Sequence, residues 1–236
     1  MSRSRGRRRW LIPTATTVVG VIVLLGLGTW QVERLQWKEG LIAARESRIA
    51  APPLDLPTGD DPAAIQYRRV HFAGRFLNDR EMYLAARTYE GETGYHVVTP
   101  VRPAAGPPVL VDRGWIPLFR KDPASRPESR PEQMTEIDGY VRLPAKPNIF
   151  TPANDPGNNL WFSIDLAAMA RYAGLAAVRP FYVQAAPGPD PKALPIGIKL
   201  SVDLPNNHLQ YAITWYALAA ALLVTYIVYM RRRRPD

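Results

Sequence analysis

Residues 11–30 read LIPTATTVVGVIVLLGLGTW, twenty residues without a charge. A helix of that length rises about 30 Å, the thickness of a bilayer's hydrocarbon core. Five arginines precede it, at positions 3, 5, 7, 8 and 9. A second uncharged stretch, 209–230, runs into Arg231, Arg232, Arg233 and Arg234. Arginine-rich flanks stay on the cytoplasmic side, so both ends are expected to face the cytoplasm with everything between them exported. A cleavable signal peptide also starts basic and continues apolar. However, the exit of the first stretch, Gly28-Thr29-Trp30-Gln31-Val32-Glu33, offers no small-x-small cleavage site, and Trp30 suits an interfacial anchor. Tyr211, Trp215 and Tyr216 near the start of the second stretch, and Tyr226 and Tyr229 near its end, read as two aromatic belts.

Charge follows the same division. Of the formal +9, the first ten residues carry +5 and residues 231–236 carry +3, leaving +1 on residues 31–230. The basic character sets topology and favours anionic lipid rather than forming a phosphate-binding face, so no nucleic-acid partner is expected. There are no cysteines, which excludes disulfides, thiolate metal sites and thiol nucleophiles.

These features divide the chain into six parts. They are a basic cytoplasmic arm (1–10), a first span (11–30), an amphipathic helical extension (31–50), an exported domain (51–205), a second span (206–230) and a basic tail (231–236). In the extension, Trp30, Arg34, Trp37 and Leu41 fall on one helical face, and Pro52-Pro53 ends the helix. Residues 51–205 hold 22 of the 24 prolines, which favours short strands joined by loops. Strands are expected at 67–76, 82–86, 95–101, 109–111, 137–143 and 181–184, and a helix at 165–172 with Asp165 as cap and Gly174 as stop. Long loops are expected at 121–133 and 144–159. The fold class is a membrane protein in which two transmembrane helices bracket a mainly antiparallel β domain with some helix.

Catalytic motifs are scarce: G-x-S-x-G, H-E-x-x-H and a P-loop are all absent from the sequence. Asp112-Arg113-Gly114-Trp115 has the look of a functional loop, although an Asp–Arg pair beside a Gly turn is more often structural. His71 and His96 fit satisfied or exposed histidines better than ligands. His208 differs, because it falls in the first turn of the second span, capped by Asn206 or Asn207. There the positive end of the helix dipole and partial burial both favour neutral imidazole, which keeps a lone pair for a metal. Tyr211, Ala212 and Trp215 extend the same face, along which a flat macrocycle could lie with iron on His208. The alternative is an interfacial histidine that hydrogen-bonds only a headgroup or the first span.

Five blocks of sequence resemble the surfeit locus protein 1 family, membrane assembly factors for cytochrome c oxidase. They are Gly28 to Arg34 with Trp37-Lys38; Gly94-Tyr95-His96-Val97-Val98-Thr99-Pro100; Val111 to Pro117; Asn154 with Trp161-Phe162, Asp165-Leu166 and Met169-Ala170; and Asn207 to Ala212 with Thr214-Trp215-Tyr216. The resemblance implies a non-enzymatic factor that helps insert heme a into the oxidase catalytic subunit, with the heme a synthesis machinery as a further partner. It implies transient heme a binding with His208 as axial iron ligand and Tyr211 and Trp215 along the macrocycle. Trp30 is then placed to stack near the porphyrin and Arg34 to pair with a propionate, or both to stabilise the span junction. Two readings compete: a scaffold that stabilises an oxidase subunit without touching heme, and a membrane-anchored periplasmic enzyme using residues 112–115. The short arm before the first span points to a bacterial inner membrane, with the central domain periplasmic.

Overall fold

The computed structural model describes residues 4–59, 61–200 and 206–232. The expected domain boundary at 205 and most of the basic tail lie outside the described residues. Two compact units result, one formed by residues 4–44 and 206–232, the other by residues 45–59 and 61–200.

The first unit is a pair of helices, α1 (Ser4–Ala50), whose last six residues belong to the second unit, and α4 (His208–Arg232), both long and apolar enough to cross a membrane. Along α1 the inward positions are Thr14, Thr17, Gly20, Leu24, Gly28 and Gln31, spaced by three or four residues as one helical face requires. Antiparallel packing follows from what these positions meet on α4. The Thr14 and Tyr226 hydroxyls lie 2.6 Å apart. A Cβ at Gly20 would stand 2.9 Å from Leu222, and one at Gly28 would stand 2.7 Å from the Tyr216 ring. Only a glycine at 28 lets that ring lie against the helix backbone. The outward faces carry aliphatic side chains such as Ile12, Ile22 and Ile213, each more than 60 % exposed. Lipid is the solvent that such a surface matches, and the chain is a membrane protein with two spans.

Two details of the pair differ from expectation. The small residues Gly20, Gly26 and Gly28 on α1 and Ala217, Ala219, Ala220 and Ala221 on α4 are expected to allow close approach, but Gly26 has nothing within 4 Å of its would-be Cβ, and Ala217, Ala220 and Ala221 are exposed. Only Ala212 and Ala219 on α4 are buried. Gly26 stands two residues, about 200°, round the helix from Gly28, so the two cannot share a face. Tyr216 and Tyr226 bond to α1 threonines rather than standing only as belt rings.

The second unit is built on seven strands: β1 (Arg69–Phe76), β2 (Met82–Tyr89), β3 (Glu92–Pro103), β4 (Val109–Pro117), β5 (Thr135–Arg142), β6 (Leu160–Trp161) and β7 (Tyr182–Ala185). Their order is β1-β5-β7-β4-β3-β2-β6, with an additional β1–β3 pairing. That pairing, Gly74 to Phe76 against Val101 to Pro103, closes β1, β5, β7, β4 and β3 into a ring, with β2 and β6 extending from it. Closure removes two exposed strand edges. The sheet is mainly antiparallel as expected, with two parallel pairings, β2–β6 and β4–β7. Period-two alternation then sorts side chains to two sides. Val70, Phe72, Val101, Val109, Val111, Val141 and Val183 fill the inside of the ring. Leu84, Val98 and Leu110 face outward, where they pack with Trp161 and with Met169 of α3 (Leu166–Tyr172). Asp165 caps α3 by accepting the Ala168 amide proton, and Gly174 follows it at φ +62°.

The remaining departures are local. A one-turn helix, α2 (Pro62–Ile65), and β6 were not expected. Residues 121–133 include two 3-10 turns at Pro123–Ser125 and Pro127–Ser129. These present Arg126, fully buried, to Glu81 and to the Ser129 hydroxyl at 2.9 Å. The Tyr83 hydroxyl donates to Glu81 at 2.5 Å. Burial and that carboxylate push the Tyr83 phenol far above its usual range.

Candidate functional site

His208 is the first residue of α4, and the helix begins with the Tyr211 amide donating to the Asn207 carbonyl. Asn207 therefore stands at the cap position, although its side chain makes no hydrogen bond among the described residues. Opposite His208, on the inward face of α1 one turn beyond Gly28, lies Gln31, only 9 % exposed. The two side chains meet at 2.7 Å, His208 Nδ1 against Gln31 Oε1. An amide oxygen only accepts, so Nδ1 carries the proton and donates. In that tautomer the lone pair lies on Nε2, which makes no hydrogen bond among the described residues. A histidine oriented by a hydrogen bond through one nitrogen and open at the other is the usual arrangement of a metal-ligating imidazole. The donor chemistry fits a heme iron, which takes a neutral imidazole nitrogen as axial ligand.

Gln31 received no role from sequence alone. The feature that marks it is a lone amide at the polar end of an apolar helix, three residues from Gly28 on the face that Thr17 and Gly28 define. The hydrogen bond to α1 was one of the two readings of His208. It is present, and it leaves the second nitrogen open.

The other residues singled out by sequence are placed less directly. Tyr211 is 55 % exposed and Trp215 half-buried, one and two turns along α4 from His208. On α1, the Arg34 guanidinium lies 4.8 Å from the Trp37 ring centre and 6.0 Å from that of Trp30. The spacings of four and three residues put the cation between two rings, worth about 0.5–1 kcal/mol each at exposed sites. No hydrogen bond, ion pair or ring contact joins Trp30 or Arg34 to His208 among the described residues.

Residues 112–115 do not form a loop; they lie within β4. Gly114 sits at φ +113°, where only glycine is unstrained, and its missing side chain lets the Ile196 carbonyl close on the strand. Asp112 is buried and uses both oxygens, accepting from the Gly114 amide at 3.1 Å and pairing with His96 Nδ1 at 2.9 Å. The Trp115 indole donates to the Arg87 carbonyl, joining β4 to β2. These bonds hold a bulged strand in register, which is a structural duty. His71 on β1 lies between Asp138 and Glu136, at 3.1 and 3.2 Å. Among the described residues no group of three or more His, Asp or Glu side chains could hold a metal ion.

Comparison with known proteins supplies the remaining finding. A family model described as the SURF1 family matches residues 18–220. A SURF1-like protein of Monosiga brevicollis is 36 % identical over 224 residues, covering 90 % of this chain and 85 % of the relative. Surfeit locus protein 1 of Mus musculus is 36 % identical over 233 residues, covering 89 % and 73 %. A SURF1-like protein of the bacterium Rickettsia conorii is 32 % identical over 216 residues, covering 89 % and 88 %.

Proposed function

The chain belongs to the SURF1 family, and from that premise we propose that it is a non-enzymatic, membrane-anchored assembly factor for cytochrome c oxidase that holds heme a for the catalytic subunit. The observation that carries the heme part of this reading is the Gln31–His208 bond, which fixes the proton on Nδ1 and leaves Nε2 available to iron. When bound, heme a would be held through its iron by His208 and would supply the cofactor to be passed on. Everything else falls to the chain's own residues. Gln31 orients the ring, Tyr211 and Trp215 offer apolar surface on the same face of α4, and Arg34 stands one turn beyond Trp30 as a cation for a propionate. A single histidine suits transient holding, since delivery requires release.

The arginines outside both spans support a topology with both termini in the cytoplasm and residues 51–205 in the periplasm of a bacterial inner membrane. The oxidase catalytic subunit is the expected partner, with the heme a synthesis machinery upstream.

Co-expression with heme a synthesis and an absorption spectrum of the purified protein tests the reading. The wild type should carry a heme a spectrum, and His208→Ala should lose most of it while staying in the membrane with the β domain folded. A normal heme content in His208→Ala would leave the chain as a scaffold for an oxidase subunit, with the Gln31–His208 bond serving only to join the helices.

A further inference from the structure

Arg75 on β1 and Arg102 on β3 are directly opposite each other in the antiparallel register. Side chains so paired leave the same face of the sheet a few ångströms apart, and like charges there repel. Both are exposed, and neither side chain has a hydrogen bond, ion pair or ring contact among the described residues. They border a cleft of about 800 Å³ in the β domain, whose wall also holds Arg130, Phe76 and Leu77. Arg130 is half-buried and paired with Asp79 at 2.7 Å. Behind Phe76 lies a further cation, Arg113, its guanidinium 4.5 Å from the ring centre and its Nη1 buried without a partner. Burial, opposed by Glu81 and reinforced by Arg126 and Arg130, lowers Arg113 to about 10, so it stays charged at neutral pH.

We propose that this cleft binds an acidic segment of a partner polypeptide, with Arg75 and Arg102 taking its carboxylates. A guanidinium fork matches a carboxylate in geometry, and an anion between the two arginines turns a repulsive pair into an attractive triad. The cleft is far larger than one phosphate needs, and Leu77, Ala124 and Pro127 in its wall offer carbon surface to a peptide's backbone and stems. Asp79 and Glu132 also stand in the wall. They oppose a densely charged polyanion or an anionic lipid surface, but leave room for a chain whose acidic residues are spaced apart. The site involves neither His208 nor heme, so its test is independent of the assembly reading.

The test uses the full chain in detergent at low salt and a fluorescein-labelled peptide of alternating Glu and Ser, read by anisotropy. The Glu peptide should bind, a matching Lys–Ser peptide should not, and added salt should weaken the complex. Arg75→Gln with Arg102→Gln should weaken binding about tenfold or more while leaving thermal stability equal or higher, because a repulsion is removed. Arg75→Glu is the second variant: it can pair with Arg102 in register, keeping the fold while closing the site. Unchanged affinity in either variant overturns the proposal. Displacement of the peptide by an equal concentration of inorganic phosphate also overturns it, in favour of a phosphate site.

Discussion

Two polar pairs, one in each unit, differ in what they leave over. In the β domain, Glu81 and Arg126 are enclosed with Tyr83 and Ser129, and carbonyl oxygens of Arg120 and Lys121 take further guanidinium protons. The network is closed on itself. In the helix pair, Gln31 and His208 make one bond, and among the described residues the other ring nitrogen has no partner. Neither pair is explained by stability alone, since apolar residues of similar volume often serve as well. The closed network reads as fixing the 3-10 turns onto the barrel, the open one as presenting an atom.

Breaking the closed pair should give the largest effect. Arg126→Ala would leave the Glu81 carboxylate buried without its cation, at a cost of about 3–5 kcal/mol. Urea unfolding of the β domain, followed by tryptophan fluorescence, should show that loss, while Arg126→Met with Glu81→Leu should recover much of it. A loss below about 1 kcal/mol in Arg126→Ala would mean that water reaches the pair and the network is not closed.

The next effect sharpens the comparison within the helix pair. Gly28→Val would drive a side chain into the Tyr216 ring, with overpacking worth about 1–3 kcal/mol. Gly26→Val meets nothing within 4 Å and should be silent. Crosslinking between cysteines placed at Thr14 and Tyr226, or at Gly20 and Leu222, should fall in the first variant and persist in the second. Equal behaviour of the two glycines would contradict the face assignment.

Gln31→Leu then tests the open pair itself. It removes the acceptor that holds the Nδ1 proton and leaves His208 free to turn or change tautomer. Loss of such an orienting partner costs about 10- to 100-fold in metal affinity, about 1.4–2.7 kcal/mol. Heme retained through purification should fall accordingly, and Gln31→Asn should not restore it, because its shorter side chain brings the amide about one bond short. Undiminished heme in Gln31→Leu would show that the bond joins helices without preparing a ligand.

What the sequence makes legible follows the reach of each interaction. The spans are local composition, and the strands are local alternation. Hence α3 and its Asp165 cap lie where expected, and β1 to β3, β5 and β7 lie within a few residues of expectation, whereas β4 runs six residues past its expected end at Val111. The ring closure is not local. Gly74 to Phe76 first pair with residues about 27 positions away in β3, and no pattern within β1 announces that. A two-residue strand such as β6 has no period to detect. Residues 112–115 look like a loop because of Gly114, and only the approach of Ile196 shows that the glycine serves a bulged strand. His208 was identifiable from its place in the first turn of a span, whereas Gln31 was not, because its partner lies 177 positions away.

The smallest effect returns to the contrast between units, now at helix starts. α3 has seven residues, too few to stand in water without help, and the Asp165 carboxylate accepts its Ala168 amide proton at 2.9 Å. α4 has 25 residues, and Asn207 at its cap position makes no side-chain hydrogen bond among the described residues. A cap matters where the helix has little else, and removing a bonded one costs about 1 kcal/mol. Asp165→Ala should therefore lower β-domain stability by about that amount, with amide exchange accelerating first at residues 166–170. Asn207→Ala should change neither exchange in α4 nor heme content measurably, because the length of α4 and its packing on α1 hold the first turn. If Asn207→Ala instead releases heme, the cap contributes to placing His208, and the open pair depends on more than Gln31.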